Sequence, residues 1–389
     1  MKNRYLQSFI QKDLKKKMVF LAGPRQVGKT TLAKTILKEI SHSLYYNWDR
    51  RKDRKELLST EWDSSLKLVV IDELHKYRFW KRWIKGEFDH FREQFRFLIT
   101  GSARMDIYRK GGDSLQGRYH HYRLHPFTIP ELLGHRFNAE IMTDLSFKES
   151  KESQDVLKNL LHFGGFPEPF LEQSEHELRR WNDEYVDRLI REDIRELEII
   201  RDLSSMELLI DLIITKASQR LSLNSLREDI EVSHKAISHW VNILEKFYFI
   251  FRVYPFLTNI SGSLKKEPKV YLWNYSMISE EAQKAENIVA CHLLKFCHFL
   301  KDAYGFKANL FYVRDVEKRE VDFLVTIDQK PWFAVEVKTS EETPSNFLYY
   351  FSKRLNIPYV YHVVLHGKRD YHKDKIRIIP MHKFLTAFI

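Results

Sequence analysis

Eight consecutive residues set the expected fold of the first part of the chain: Gly23-Pro24-Arg25-Gln26-Val27-Gly28-Lys29-Thr30. The glycines let backbone N–H groups turn inward around a phosphate. An apolar run at 19–22 precedes this stretch, and residues 30–40 carry apolar side chains at helical spacing. The amino-terminal end of such a helix is positive and attracts a phosphate. We therefore predict a strand, a phosphate loop and a helix, in that order.

The side chains of the loop predict which ligand it takes. The spacing G-x-x-x-x-G-K-[ST] directs the Lys29 ammonium to β- and γ-phosphates and offers the Thr30 hydroxyl to Mg²⁺. The flanking strand and helix disfavour the alternative, an ordinary strand–helix turn. ATP is the predicted ligand and Mg²⁺ its metal. The residues expected around the nucleotide are Gly23, Pro24, Arg25, Gln26, Val27, Gly28, Lys29, Thr30 and Thr31.

A second apolar run, residues 68–71, ends in Asp72 and Glu73. A buried parallel strand delivers the residues at its carboxyl end to the edge of the sheet where ligands bind. We predict that Asp72 holds Mg²⁺, usually through water, and that Glu73 polarises the attacking water. A solvated strand end is the alternative. If both roles hold, the protein hydrolyses nucleotide and does not merely bind it.

Two further positions are candidates for sensing or stabilising the γ-phosphate. Residues 97–102 form a strand that ends in hydroxyl groups, so Thr100 or Ser102 is a candidate sensor, with a simple turn as the alternative. Arg118 follows a Gly-rich loop and begins a strand, and it is a candidate transition-state cation, in cis or from a neighbouring subunit. Surface arginines are common in this chain, which argues against Arg118.

The first part alternates strands with helices, and the apolar strands are continuous rather than alternating. This pattern predicts an α/β fold with a parallel sheet covered on both faces. Polar residues 142–154 mark the end of this part, so residues 1–140 are predicted as the ATPase core.

The chain as a whole resembles the AAA-type P-loop ATPases of bacteria and archaea that carry a C-terminal domain of undefined function. The resemblance rests on GPRQVGKTT, LVVIDELHK, ITGSAR, the Gly-Arg before a Leu-x-Pro-Phe, and GGFPE. It implies ATP hydrolysis by the sheet and a small helical lid, expected at 141–204. It does not imply one settled biological role.

Residues 205–255 show the pattern of a winged helix-turn-helix. Ser233 is a suitable N-cap, and residues 237, 241 and 244 give the second helix one apolar face. This segment has six basic and six acidic side chains, however, and a helix that reads DNA needs cations for the phosphates. A structural or protein-contact role is therefore favoured over groove reading.

Residues 256–389 contain a second candidate site. Two strand patterns around a four-residue turn, 328–331, predict a hairpin that brings Asp322 near Glu336 and sets Lys338 on the same face as Glu336. Two carboxylates can hold a divalent metal beside a lysine that activates water, which makes Glu336 and Lys338 candidates for phosphodiester cleavage.

The predicted order of elements in this part is αβββαβ, which resembles the restriction-endonuclease-like, or PD-(D/E)XK, core. That resemblance places Glu286 on the first helix as a further acid, so the expected metal ligands are Glu286, Asp322 and Glu336. The alternative is a nuclease-like fold kept as a scaffold, with Asp322 and Lys338 simply ion-paired.

Composition and charge narrow the class of protein. The chain has 389 residues, and its net charge is 64 − 53 = +11. By segment, residues 1–140 carry 29 − 16 = +13, residues 141–259 carry 15 − 22 = −7, and residues 260–389 carry 20 − 15 = +5. Two cysteines make no disulfide scaffold, and no apolar run reaches the length of a membrane helix, so we expect a cytoplasmic protein without membrane contact.

The sequence thus favours a Mg²⁺-dependent ATPase whose nucleotide state controls a nuclease-like domain, with DNA or RNA as candidate partners. The alternative is an ATP-binding signalling or scaffold protein with a silent nuclease-like domain. Assembly as a homo-oligomer or with a partner protein is left open.

Overall fold

A computed structural model of the chain describes residues 4–59, 62–101, 115–135, 137, 140–194, 202–257, 266–340 and 343–389. The chain forms two compact units. One comprises Met1–His125 with Lys246–Tyr248, and the other comprises Pro126–Glu245 with Phe249–Ile389. None of the helices in the described ranges is both long and apolar enough to cross a membrane. The finer predicted division at 140, 204 and 255 stays a prediction.

The first unit is built on a five-stranded sheet in the order β2-β3-β4-β1-β5, in which every neighbouring pair is parallel. The strands are β1 Met18–Ala22, β2 Ser43–Asn47, β3 Leu68–Asp72, β4 Arg96–Thr100 and β5 Tyr119–Arg123. The helices are α1 Gln7–Leu14, α2 Lys29–Glu39, α3 Arg51–Ser59 and α4 Trp80–Phe91.

The sheet forms because its central strands are apolar on both faces. Every residue of β1 and β3 is buried. On one face of the sheet, the alternate side chains of β1 and β3 pack with Phe97 and Ile99 of β4 and with Trp80 and Ile84 of α4 in one core. The prediction of a mixed α/β fold with a parallel sheet is confirmed.

The second unit begins with helices. They are α5 Ile129–Leu133, α6 Ser153–Phe163, α7 Pro167–Glu172, α8 Glu175–Arg188, a π-helical stretch Leu189–Ile194, α9 Leu203–Thr215, α10 Leu223–Ile230 and α11 His234–Lys246. The N-cap Ser222 accepts a bond from Ser225 N–H at the start of α10. Ile237, Val241 and Leu244 of α11 are buried, as its apolar face predicts.

An eight-stranded mixed sheet completes the second unit, in the order β12-β13-β11-β10-β9-β8-β6-β7. Its strands are β6 Ile250–Pro255, β7 Lys269–Leu272, β8 Ala308–Arg314, β9 Glu320–Ile327, β10 Lys330–Lys338, β11 Tyr359–Val364, β12 Tyr371–Lys373 and β13 Ile376–Pro380. The helices of this part are α12 Glu281–Tyr304, α13 Asn346–Arg354 and α14 Met381–Phe384. The predicted order from helix α12 through strand β11 is observed.

Strands β9 and β10 form the predicted hairpin, but its turn differs from the prediction. Ile327 pairs with Lys330, so two residues make the turn rather than four. Asp328 and Gln329 both have positive φ, 49° and 67°. Such a pair matches the right-handed twist of the two strands, and Asp and Gln replace the glycine and asparagine that usually mark it.

Candidate active site

The phosphate loop lies between β1 and α2, and two of its glycines have backbone angles that other residues avoid. Gly23 has φ 145° and Gly28 has φ 97°. A Cβ at Gly23 would lie 2.4 Å from the carbonyl oxygen of Leu124, which follows β5. The neighbouring chain thus leaves no room for a side chain at Gly23, and Gly28 supplies the left-handed residue immediately before the helix.

Lys29 is the first residue of α2 and is almost fully buried. Its ammonium donates to the carbonyl oxygens of Gly23, at 3.0 Å, and Pro24, at 2.7 Å. These bonds hold the cation inside the loop that precedes the helix. The start of α2, which is the positive end of the helix dipole, adjoins the same loop.

Asp72 is the point at which the predicted site residues meet. Its Oδ2 accepts a hydrogen bond from the Thr30 hydroxyl at 2.7 Å, and its Oδ1 accepts one from the Thr100 hydroxyl. Parallel pairing explains this meeting, because Asp72 is the register partner of Thr100. Thr30, Asp72 and Thr100 are therefore assembled as expected from the order of the strands. The other candidate sensor, Ser102, lies outside the described residues.

A third partner of Asp72 is not evident from the sequence motifs. The Tyr45 hydroxyl, on β2, donates to Asp72 Oδ2 at 2.8 Å. Strands β2 and β3 are parallel, and Asn47 is in register with Asp72. Once β2 is placed beside β3, Tyr45 falls two residues before that position and on the same side of the sheet. The contact between Tyr45 and Asp72 can be predicted only from the register of these strands, and no short motif indicates it.

Glu73 has a left-handed backbone conformation, with φ 58°. Its N–H donates to the Thr100 carbonyl at 3.0 Å, and its Oε2 lies 3.3 Å from His75 Nε2. Burial raises the pKa of Glu73, and the charge of Lys29 opposes the rise. The carboxylate therefore binds a proton more readily than an exposed glutamate, which suits a group that accepts a proton from water.

Arg118 lies at the opposite edge of the sheet from the phosphate loop. Met18, the first residue of β1, pairs with Tyr119, and its N–H donates to the Arg118 carbonyl. The loop follows the last residue of β1, so the length of a five-residue strand, roughly 16 Å, separates the two. The guanidinium forms an ion pair with Asp89 at 2.7 Å. A role for Arg118 in cis, one of the two predicted, does not fit this position, and only a role in a neighbouring chain remains a proposal.

Arg4 contacts the phosphate loop, although no sequence motif indicates it. Its Nη1 donates to the carbonyl of Val27 at 2.6 Å, and its Nη2 donates to the carbonyl of His125 at 2.5 Å. One guanidinium thereby joins the phosphate loop to the chain that leaves β5.

The acids predicted in the second unit are held by protein cations. Lys269, the first residue of β7, is buried, and its ammonium lies 3.0 Å from Glu286 Oε1 on α12 and 3.1 Å from Asp322 Oδ1 on β9. It also lies 2.8 Å from Glu320 Oε1. Burial would lower the pKa of Lys269, but Glu286 and the other nearby acids hold that pKa well above its usual range. Lys269 lies outside the D–ExK pattern, so no sequence motif marks it.

Glu336 has different partners. Its Oε2 accepts from the Ser345 N–H at 3.1 Å and lies 3.0 Å from His362 Nδ1. Burial alone would raise the pKa of Glu336, but the hydrogen bond to His362 lowers it. The pKa of Glu336 is therefore below its usual value. Lys338 Nζ lies 3.8 Å from Glu336 Oε1, on the same side of β10.

The predicted metal ligands of the second unit therefore do not converge. Glu286 and Asp322 share Lys269, whereas Glu336 lies with His362 and Ser345. Throughout the part of the chain that the structure describes, no group of three or more His, Cys, Asp or Glu side chains is arranged to hold a metal ion. The alternative pairing of Asp322 with Lys338 is replaced by the ion pair between Asp322 and Lys269.

One family model matches the first part of the chain. Residues 15–133 match the model described as "AAA domain". The first unit has an AAA-type P-loop ATPase fold. Residues 154–285 and 283–384 match two models that are each described as a domain of unknown function, DUF8612 and DUF4143.

Two relatives found by sequence comparison are both described as uncharacterized proteins. The uncharacterized protein MJ1544 of Methanocaldococcus jannaschii is 25% identical over 85% of this chain and 78% of its own length. The uncharacterized protein Rv2008c of Mycobacterium tuberculosis is 22% identical over 66% of this chain and 54% of its own length.

Solved structures show partial likeness. The Walker-type ATPase PABY2304 of Pyrococcus abyssi is 14% identical, with 71% of this chain and 96% of that chain covered and a TM-score of 0.43. The Aeropyrum pernix ORC1 protein in complex with DNA is 12% identical, with 73% and 90% covered and a TM-score of 0.33.

Proposed function

We propose that this protein is a Mg²⁺-dependent ATPase that uses the site formed by Lys29, Thr30, Asp72 and Glu73. The observation that carries the proposal is the 2.7 Å hydrogen bond between the Thr30 hydroxyl and the Asp72 carboxylate, at the carboxyl edge of the parallel sheet. A hydroxyl and a carboxylate are hard oxygen donors, which Mg²⁺ prefers. The two residues lie beside the loop that would hold the phosphates, so this donor set fits the metal. When bound, Mg²⁺ would neutralise charge on the β- and γ-phosphates.

Each residue then has one task in binding or in proton transfer. Lys29 leaves its loop carbonyls to contact the phosphates, because phosphate oxygens are stronger acceptors than neutral carbonyls. Glu73 accepts a proton from the attacking water. Thr100 is held by Asp72 at the same edge of the sheet, where it orients that carboxylate.

Two variants and one control test the ATPase proposal. Glu73→Gln keeps the size of the side chain but removes the base, so steady-state phosphate release should fall by about 10²- to 10⁴-fold while ATP still binds. Lys29→Ala should abolish turnover and weaken ATP binding in equilibrium titrations. Lys38→Ala is the matched control, because Lys38 is an exposed lysine of the same helix. Undiminished phosphate release by Lys29→Ala would refute the assignment.

We further propose that the nucleotide state acts on the second unit, for which the sequence predicts either nucleic-acid cleavage or a scaffold role. The contacts of Lys269 favour the scaffold, in which residues 205–389 bind a partner protein or a nucleic acid without cutting it. Arg252 of β6 also favours the scaffold role. Its guanidinium bonds Glu245 at 3.1 Å and Asn242 at 2.8 Å, so the polar Asn242 side chain of α11 already has a partner within the chain. Incubation of the wild type with DNA or RNA, Mn²⁺ and ATP decides, because cleavage products would favour the nuclease.

A further inference from the structure

We propose that the ammonium of Lys269 takes the place of the divalent metal ion in the nuclease-like core, so that two of the acids predicted as metal ligands, Glu286 and Asp322, form an ion-pair cluster with it. This proposal concerns the second unit and is independent of ATP hydrolysis. It rests on the positions of four side chains, Lys269, Glu286, Glu320 and Asp322, which we call the Lys269 cluster.

Three elements bring the Lys269 cluster together. Lys269 begins β7, Glu286 lies on α12, and Glu320 and Asp322 lie two residues apart on β9. The ammonium has three hydrogens, and three carboxylate oxygens lie at 2.8, 3.0 and 3.1 Å from the nitrogen. These are N–H···O distances. Carboxylate oxygens bind Mg²⁺ at about 2.0–2.1 Å. The acids are thus spaced for an ammonium.

Charge reinforces this conclusion. A buried ammonium is tolerated only when it is paired and hydrogen-bonded, and the Lys269 side chain is 5% exposed. Arg314 adds a second cation, 2.7 Å from Glu320 Oε2. Two fixed positive charges therefore face three carboxylates. A divalent ion in the same place would lie within about 3 Å of the ammonium, and the two cations would repel each other strongly.

Two further donors contact the acids of the cluster. The Tyr271 hydroxyl donates to Glu286 at 2.7 Å, and the Val337 N–H donates to Asp322 Oδ2 at 2.9 Å. Glu336 contacts His362 and Ser345 instead of the cluster. The residues present therefore do not fit the metal that the nuclease resemblance implies, and no cleavage step follows from them.

The role left to the cluster is to fix β7 against α12 and β9. Strand β7 is the last strand of its sheet; it pairs with β6 on one side, and Lys269 forms an isolated bridge with Arg220 on the other. An ammonium shared among three carboxylates attaches its first residue to two other elements. The cluster therefore has a structural task, which is to hold the start of β7 in place.

Removal of the lysine in the full-length, nucleotide-free protein tests the proposal, with Mn²⁺ as the probe and electron paramagnetic resonance as the readout. Lys269→Ala leaves three carboxylates around the space of the side chain, so this variant should bind one more Mn²⁺ per chain than the wild type. Adding Asp322→Asn should remove that extra ion. Lys295→Ala is the control, because Lys295 is also fully buried and pairs with the Glu131 carboxylate together with the Pro126 carbonyl and the Thr128 hydroxyl. It should gain no ion.

Two results would overturn the proposal. One is a folded Lys269→Ala protein that binds no additional Mn²⁺. The other is a Mn²⁺ site in the wild type that Asp322→Asn or Glu286→Gln removes, and this measurement does not need the Lys269 variant to fold. ATP turnover of the Lys269 and Asp322 variants, measured in parallel, should stay at the wild-type level, which separates this proposal from the ATPase proposal.

Discussion

At the scale of the residue, the arrangement around Asp72 determines what the nucleotide site can do. Three hydroxyl groups, from Thr30, Tyr45 and Thr100, donate to one carboxylate. Burial, with the charge of Asp72, raises the pKa of Tyr45. The phenol therefore stays protonated at neutral pH and remains a donor. Tyr45 is a positioning residue, since it acts on the metal site through Asp72.

Tyr45→Phe should lower ATP turnover by about 2- to 10-fold, because one hydrogen bond to the carboxylate contributes roughly 0.5–1.5 kcal/mol. The effect should appear as a higher Mg²⁺ concentration for half-maximal activity, with ATP affinity nearly unchanged. A steady-state assay with a Mg²⁺ titration measures both. Tyr46→Phe is the control, because the Tyr46 ring packs against Trp62 and belongs to the other face. An unchanged Mg²⁺ dependence in Tyr45→Phe would show that Asp72 needs no such support.

The sequence predicted the residues that belong to motifs and missed those that act across elements. Thr30, Asp72 and Thr100 were placed correctly at one edge because each follows or precedes a recognisable strand. Tyr45 and Lys269 were missed because no motif links them to their partners, which lie 27 and 53 positions away in the chain. Such pairs depend on which strands are neighbours and on their register. A single sequence determines neither when its parallel strands have similar lengths.

At the scale of the element, the segment that leads into α1 braces the phosphate loop. Arg4 bonds the carbonyls of Val27 and His125, and the Tyr5 hydroxyl donates to the Arg123 carbonyl at 2.8 Å. A loop carbonyl that is already bonded cannot turn toward a phosphate. The contact with Val27 therefore helps to keep the N–H groups of the loop directed inward.

Arg4→Ala should raise the KM for ATP by about 10-fold with a smaller effect on kcat, because it frees the loop without removing a group that contacts the phosphates. A charge-assisted hydrogen bond of this kind contributes roughly 1.5–3 kcal/mol. Part of that free energy keeps the loop ordered, and the variant loses it. Lys12→Ala, an exposed cation on α1, is the control. Equal KM values for Arg4→Ala and the control, in a steady-state ATPase assay, would contradict the bracing role.

The apolar runs at 19–22 and 68–71 fall within the observed strands β1 and β3, whereas the connections were predicted less well. The parallel strands of the first unit and the helices α12 and α13 follow their apolar patterns. The turn between β9 and β10 is shorter than predicted, because neither Asp328 nor Gln329 signals a left-handed turn as strongly as Gly does. Arg118 follows a Gly-rich loop and begins a strand, which made it a candidate. Because β5 runs parallel to β1, however, Arg118 lies at the edge of the sheet opposite the phosphate loop of the same chain.

At the scale of the whole molecule, a buried histidine makes the stability of the second unit depend on pH. The Nε2 atom of His292, on α12, accepts a hydrogen bond from the Ile129 N–H at 3.1 Å, and its Nδ1 bonds the Ile288 carbonyl. Burial lowers its pKa to about 3. In an unfolded chain the same imidazole takes up a proton near pH 6.5. Between these pH values unfolding absorbs a proton, so acid favours the unfolded chain.

The free energy of unfolding should therefore fall by about 1.4 kcal/mol per pH unit, through His292 alone, as the pH drops from about 6 to 4. His292→Gln cannot take up that proton. Urea unfolding of the wild type and this variant at several pH values measures the difference between their free energies, which should shrink by that slope as the pH falls. A difference that is constant with pH would mean that His292 is not kept neutral by burial.

The distribution of charge has a more local meaning than the net charge suggested. The first 140 residues contain more than the whole net excess, but Arg118 and Lys76 are paired with Asp89 and Asp49. In the second unit, Lys269 and Lys295 are neutralised by buried acids. A basic composition therefore gives little support to a nucleic-acid partner, because several cations bind acids of the same chain.

Strand β6 has a practical consequence for studying the second unit in pieces. It pairs antiparallel with β7 on one side and parallel with β8 on the other, and it directly follows the helices that end near residue 246. A fragment that begins at residue 256 would lose β6 and leave unpaired backbone groups along β7 and β8. Exposed strand edges of this kind recruit other chains and promote aggregation. A fragment that begins at residue 126 keeps both edges covered, so it is the better starting point for purification and crystallisation.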